Sequence, residues 1–353
     1  MRAALVLWLA FQIPASDVTQ HVQAGLEARQ HGRLAEAIAE FKKVTELEPS
    51  QVAGFVNLGS VYLESRDYGS AIAPLKRALE LDGSLIGAHQ MLGYALLAQG
   101  YSAEAIPHLE QAQVFDGLGI AQLETGKLPE AVLSLERALE KRPNDPDLFY
   151  YLQRALGLLS KQFYDSLVGI YPDSSRAHQA LGDSSAILGR FPEAEREYQE
   201  ALRLAPDTPG IQLALGELYS GASQWAKAEQ SFRAEAKIRP GDAQTAYGLG
   251  SALLQQGKVH DALLELERAD RLRPEMPETL YALGKAALLD GDARTAEKTW
   301  LRLIGLESEG DIATQAHFGL AGLYRRQGKT KEAEREMEIF RKLKPPTGHP
   351  KPY

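Results

Sequence analysis

The sequence predicts an all-α protein, a solenoid of about ten helix–turn–helix units laid end to end. Three observations predict it. Glycine, alanine and proline recur in a fixed order at steps of 34, as in Gly182, Ala194, Pro206, then Gly216, Ala228, Pro240, then Gly250, Ala262, Pro274. Apolar residues inside each step recur at helical spacing. Glycine and proline punctuate each step where a hairpin of two helices would turn and stop. A period of this length marks a stacked repeat. Each unit is too small to bury its own apolar face and does so against its neighbours.

The ladder runs along most of the chain. Gly25, Ala37 and Pro49 form its first rung. Gly59 with Ala71, Gly93 with Ala105 and Gly119 with Ala131 continue it, and Gly284 with Ala296 follows the regular rungs. Units start near residues 18, 52, 86, 112, 146, 175, 209, 243, 277 and 314. The unit from 175 shows the logic. Ala177, Leu181, Ile187 and Leu188 supply the apolar positions of a first helix, and Ala194, Tyr198, Ala201 and Leu202 those of a second. Gly189 marks the turn between them. Pro192 falls in a first turn, where a missing N–H is tolerated, and Pro206 stops the helix.

These residues resemble the tetratricopeptide repeat family, with its small Gly and Ala positions, its terminal proline, and aromatics such as Tyr62, Tyr198, Phe232 and Trp300. The resemblance spans residues 16–347 and implies a right-handed superhelix of antiparallel helix pairs. It is specific for fold and says little about function.

The ladder breaks in three places. Between the third and fourth units the step is 26. Because AQVFDG (112–117) aligns with ALELDG (78–83), the third unit's second helix reads as complete. The loss then falls on the next first helix, shortened to about Leu118–Thr125, which opens a notch; the irregular stretch is 112–125. Between the fifth and sixth units the step is 29, with the missing residues around Gly157-Leu158-Leu159-Ser160, inside the irregular stretch 155–165. Either Ser160 caps a second helix after a very tight turn, or the two helices fuse into one rod. The tight turn is preferred, since fusion leaves two apolar stripes without hairpin partners. Between the ninth and tenth units the step is 37, which reads as a longer surface loop near Glu307–Asp311. Possible sub-blocks are 16–145 and 146–347, with a short tail at 348–353.

Of 353 residues, 44% are hydrophobic and 24% charged, the proportions of an ordinary soluble protein. The net charge of −8 argues against a general nucleic-acid binder. The absence of cysteine excludes disulfides, thiolate catalysis and cysteine metal sites. At the amino terminus Arg2 precedes an apolar run from Ala3 to Phe11, followed by Pro14, Ala15 and Ser16. This is the order of a secretory signal cleaved after Ala15. The run is far shorter than the ~20 residues that span a bilayer. Residues 1–15 are therefore expected to be a signal peptide, with the rest exported to a bacterial periplasm or beyond. If the run is not a signal, the protein is cytoplasmic.

The stretch GLYRRQGKT, Gly322 to Thr330, ends like a phosphate-binding loop. Such a loop needs four residues between its glycines and lies between a strand and a helix. Here five residues separate Gly322 from Gly328, and the preceding sequence is helical. Gly328 stands at the same turn as Gly257, Gly189 and Gly100. His89, His178 and His317 share the fourth place of their units, too far apart along the array to converge on a metal. His21, His31, His108, His260 and His349 show no ligand spacing. Charges such as Glu193, Glu195, Arg196 and Glu197 read as solvated helix surface. No catalytic residue, metal or cofactor is expected. The last unit is basic, with Arg325, Arg326, Lys329, Lys331, Arg335, Arg341, Lys342 and Lys344. It reads as a soluble capping helix or, alternatively, a docking patch for an acidic partner or lipid headgroups.

The family resemblance implies that places two, five, nine and twelve of each first helix line a concave groove. Here these places include Tyr94, Tyr150, Arg154, Arg176, Gln179, Asp183, Glu217, Tyr247, Tyr281, Lys285 and Phe318. Tyrosine and arginine are common at binding hot spots because they bury a large area and keep a polar handle. Some family members grip a C-terminal carboxylate with a Lys and an Asn of the first unit; Val22 and Leu26 stand there instead, and Val56 and Ser60 in the second unit. The expected function is a non-enzymatic scaffold that binds extended or helical protein segments. The alternative is a structural assembly factor of a bacterial envelope or secretion complex, held by its convex face and ends. A catalytic or carbohydrate-binding groove is the remote third reading.

Overall fold

The computed structural model describes residues 17–344. The expected signal peptide and the tail from 348 lie outside the described residues. Among the described residues there are 19 helices and no strand. Eighteen of them form nine hairpins. The first four are α1 (Asp17–Gln30) with α2 (Leu34–Leu47), α3 (Val52–Glu64) with α4 (Tyr68–Leu81), α5 (Ile86–Ala98) with α6 (Ser102–Gln111), and α7 (Phe115–Glu124) with α8 (Leu128–Lys141). A single helix, α9 (Pro146–Ile170), comes next. It is followed by α10 (Ser175–Ile187) with α11 (Phe191–Leu204), α12 (Ile211–Gly221) with α13 (Trp225–Ile238), and α14 (Ala243–Gln255) with α15 (Val259–Leu272). The last two pairs are α16 (Pro277–Leu289) with α17 (Ala293–Leu306) and α18 (Asp311–Arg326) with α19 (Thr330–Leu343).

All nine hairpins turn in the same way. Three residues separate the two helices, and the middle one adopts the left-handed conformation. In seven hairpins it is glycine, which takes that conformation without a Cβ clash. Arg66 (φ 60°) and Ser223 (φ 57°) hold it in the other two. At Gly126 the turn closes when its N–H donates to Leu123 O (3.2 Å) and the N–H of Lys127 donates to Gln122 O (2.8 Å), which satisfies the last carbonyls of α7. Gly328 is one of these turn residues, so Gly-Lys-Thr is a hairpin turn followed by a helix start.

Inside each regular hairpin the first helix carries a glycine where the second presses a large side chain, sixteen residues on in sequence. The pairs are Gly25 with Phe41, Gly59 with Leu75, Gly93 with Leu109, Gly119 with Leu135, Gly182 with Tyr198, Gly216 with Phe232, Gly250 with Leu266 and Gly284 with Trp300. A Cβ at any of these glycines would lie 2.4–2.8 Å from its partner. All eight large partners are at most 2% exposed, so this contact is the core of each hairpin. The chain divides into two compact units, Met1–Phe163 and Tyr164–Tyr353. In the first, one apolar cluster runs from Ala28 to Ala121 and another from Leu123 to Ala155. In the second, the clusters run from Ala194 to Ala286 and from Leu280 to Ala333.

The structure corrects the sequence reading at all three breaks. The third unit's second helix is not complete: α6 has 10 residues against 14 in α4, and α7 has 10 against 13 in α5. Gln113, at φ 54°, turns the chain early and lets α7 begin at Phe115. The expected tight turn at Ser160 does not form. The chain runs as one helix of 25 residues, α9. Every other hairpin uses three residues for its turn, and the five-residue deletion removes them. Leu156, Leu158, Phe163 and Ile170 of α9 are left exposed. Finally, the three extra residues near 307–311 do not enlarge a loop. The connection there has the usual four residues, and α18 is longer instead, with 16 residues against 13 in α16.

Candidate functional site

In the second unit, the first helices of successive hairpins build a pocket of about 430 Å³. Helix α12 contributes Glu217 and Ser220, α14 contributes Gln244, Tyr247 and Ser251, and α16 contributes Glu278, Tyr281 and Lys285. Trp225, at the start of α13, and Ile312 of α18 complete the wall. Phe232 forms the floor, reached between Gly216 and Gly248; a Cβ on Gly248 would lie 2.6 Å from its ring.

The pocket is apolar with a few convergent polar groups, the usual composition of a binding site. Tyr247 and Tyr281 are half-buried, and burial raises the phenol pKa of both. For Tyr247 a hydrogen bond with Ser251 works against the shift and Glu278 adds to it. Trp300 Nε1–H donates to the backbone carbonyl of Tyr281 (3.3 Å), which ties this stretch of α16 to α17. Lys285 is exposed and has no ion-pair partner among the described residues. Glu217 accepts a hydrogen bond from Gln244 Nε2 (3.4 Å). Such a slot suits an apolar side chain of a partner, with the lysine and carboxylates free to meet the polar groups around it.

The first unit holds a second pocket, of about 600 Å³, beside the shortened α7. Tyr94 of α5, Asp116 of α7 and Arg142 after α8 form its polar wall. The Tyr94 hydroxyl donates to Asp116 Oδ1 (2.9 Å), Arg142 Nη2 donates to Asp116 Oδ2 (2.6 Å), and Arg142 Nη1 lies 2.9 Å from Asp145 Oδ2. Burial and then the Asp116 charge push the Tyr94 pKa well up. Tyr68, Tyr151, Ile120 and Leu148 supply apolar surface.

Of the eleven residues expected to line a groove, Glu217, Tyr247, Tyr281 and Lys285 share the second unit's pocket, and Tyr94 lines the first unit's. The other six line neither. Tyr150 is exposed on α9 and packs edge-on to Tyr151 at 5.3 Å; it is Tyr151 that faces the pocket. Arg154 is exposed on the same helix. Arg176 bonds Gln179 and donates to Pro209 O (3.2 Å), so both help join α10 to the following hairpin. Asp183 accepts from the buried Tyr198 hydroxyl (2.7 Å), and Phe318 packs on Phe340 at 5.2 Å. Ser220, Gln244, Ser251 and Glu278 occupy the same four places of their units and join the pocket although they were not among the eleven. Trp225 and Arg142 lie outside the first helices, where the four-place rule does not reach.

Among the described residues no group of three or more His, Cys, Asp or Glu is placed to hold a metal, and no helix is long and apolar enough to cross a membrane. Among curated proteins none matches the sequence. Similar solved structures include MamA (residues 41 to end) from Desulfovibrio magneticus RS-1, at 21% identity and TM-score 0.45, over 48% of this chain and 94% of that one. Cut9–Hcn1, a hetero-tetramer of the APC/C, is similar at 13% identity and TM-score 0.45, over 93% and 88%. Yeast Tom70 is similar at 14% and 0.42, over 93% and 92%. The family profile described as Tetratricopeptide repeat matches residues 22–85, 213–277, 247–308 and 281–345. Two further profiles of the same description match 175–208 and 87–111. With the nine hairpins of uniform turn, these matches show that the chain belongs to the tetratricopeptide repeat family.

Proposed function

We propose that this protein is a non-enzymatic scaffold that binds extended or helical segments of partner proteins on the face formed by its first helices. The single observation that carries the reading is the second unit's pocket. There Tyr247 and Tyr281 offer half-buried rings beside Lys285, a cation with no ion-pair partner among the described residues. Aromatic anchors next to adaptable charge are what a bound segment uses for affinity and register. Export of the mature chain rests on the order of residues 2–16.

The test is selection of binders from a displayed peptide library on the full chain. Tyr281→Ala combined with Lys285→Ala is expected to weaken the selected peptides at least about tenfold, or about 1.4 kcal/mol. An unchanged helical circular dichroism spectrum would show that the fold is intact. Peptides that bind the double variant as tightly as the parent defeat the reading. The second reading, an assembly factor held by its outer surface, is supported by Leu133, Leu264 and Leu301, exposed on the second helices α8, α15 and α17. It expects those leucines, rather than the tyrosines, to govern association.

A further inference from the structure

Four hairpins hold a histidine of the first helix against the residue nineteen positions on, in the second helix. In three of them that residue is a glutamate. His21 Nδ1–H donates to Glu40 Oε2 (2.6 Å), His178 to Glu197 (2.8 Å) and His317 to Glu336 (2.5 Å). In the hairpin of α5 and α6 a second histidine takes the glutamate's place. His89 Nδ1 and His108 Nδ1 lie 2.8 Å apart, with ring centroids 5.0 Å apart. His89 Nε2–H donates to the carbonyl of Gly83 (3.1 Å). In the neutral pair, then, His89 Nδ1 is the acceptor and His108 Nδ1–H the donor. A single proton joins the two rings.

The two arrangements respond to acid in opposite senses. A protonated imidazole still donates to a carboxylate, and the bond gains charge. The first proton taken by the histidine pair, at Nε2 of His108, leaves the Nδ1–H···Nδ1 bond in place; the second, at His89 Nδ1, sets N–H against N–H, so the bond is lost and like charges meet. The surroundings of the histidine pair offset this only in part, through Glu104. From α4, Lys76 adds positive charge, and Glu104 on α6 is bonded to it at 3.1 Å. Glu110 lies two residues beyond His108, on another side of α6. In α3, Glu64 is held by Arg29; Asp82, beside Gly83, is held by Ser84. On α7, Asp116 is engaged by Tyr94 and Arg142, and Glu124 by Ser102. His89 is 8% exposed, so water does little to screen a charge on its ring, whereas His108 is half-buried.

We propose that the α5–α6 hairpin is an acid-sensitive joint, opened when both rings of the His89–His108 pair are protonated, under conditions in which the three His–Glu hairpins hold. Burial, then His89 and Lys76, keeps His108 below the ordinary imidazole range, with Glu104 working against them, and the net direction agrees with this sense. For a base whose folded pKa is lowered, the unfolded state binds more protons. Its stabilising share is whole above about 6.5, the unfolded value, and shrinks as the pH falls through it. Opening would move Tyr94 and Leu97 of α5, and with them one wall of the first unit's pocket. The joint does not depend on what either pocket binds.

The experiment is hydrogen exchange of the full chain, read as protection factors, at about pH 7.5 and about pH 5, on either side of the histidine range. One unit of pKa difference is a factor of ten in an equilibrium. Peptides of α5 and α6 are therefore expected to lose about tenfold more protection in acid than those of α10–α11 or α18–α19. His108→Glu installs the His–Glu arrangement and is expected to abolish that loss. Should it fail to fold, Glu197→His is the reciprocal test, and α10–α11 is then expected to become the acid-labile hairpin. Equal loss across all hairpins, retained protection in α5–α6, or an acid response unchanged by the variant that folds overturns the proposal.

Discussion

At the scale of single residues, backbone conformation decides more than side-chain chemistry. Nine hairpins need a left-handed residue at the same turn position, and two of them put a side chain there. Arg66 is exposed, and no N-cap role falls to it, since Asp67 accepts from Ser70 N at the start of α4. A left-handed L-residue costs about 1–2 kcal/mol, partly offset by the extra freedom glycine has when unfolded. Arg66→Gly is therefore expected to raise stability by about 0.5–1 kcal/mol, seen as a higher denaturation midpoint at unchanged slope. The turn glycines and the glycine–alanine ladder were legible in the sequence because a missing Cβ is visible as a letter. What sits opposite was not. Gly284 says that something comes close, but not that it is Trp300, and His108 looked like an isolated histidine until α5 and α6 were packed together.

At the scale of elements, the helices were legible and their lengths at the breaks were not. Periodicity places a helix, but says nothing of how a deletion is absorbed. The preference for a tight turn at Ser160 assumed that each apolar stripe keeps its partner. The cost of forming a turn without residues for it proved greater, and α9 runs through. This has a direct test. Gly157 is exposed, lies inside α9, and has open space where a Cβ would go. In a helix interior, alanine is better than glycine by about 0.5–1 kcal/mol. Gly157→Ala is expected to stabilise the protein by that amount, measured by chemical denaturation. A loss of stability would show a turn at that position after all. The same uncertainty of length hid the first unit's pocket: a notch was expected there, but Asp116 was taken for the tail of a helix and stands in the first turn of the next one.

At the scale of the whole molecule, a stacked array communicates stability only between neighbours. An alanine at Gly284 would put its Cβ 2.4 Å from the Trp300 indole nitrogen, against a side chain that is 2% exposed. Overpacking of this kind costs typically about 1–3 kcal/mol. Gly284→Ala is expected to lower exchange protection in α16, α17 and the adjoining α15 and α18 by at least about tenfold. Protection in α1–α8 should stay unchanged; a uniform fall would mean that the array unfolds as one body. The fold was legible at this scale because every unit repeats the same argument, whereas the site was only partly so. The four-place rule gathers Glu217, Tyr247, Tyr281 and Lys285 but cannot reach Trp225, which enters the pocket from a second helix. The uniform three-residue turn has one last consequence. Proteins commonly accept insertions and deletions in their loops. Here the changes of length fell on helices, on the links between hairpins, or on the removal of a turn outright, while every surviving hairpin turn kept its three residues. The hairpin turns are the gauge of this protein and the rods its adjustable stock, so whole hairpins can be added or dropped in register more readily than a single residue can be inserted into such a bend.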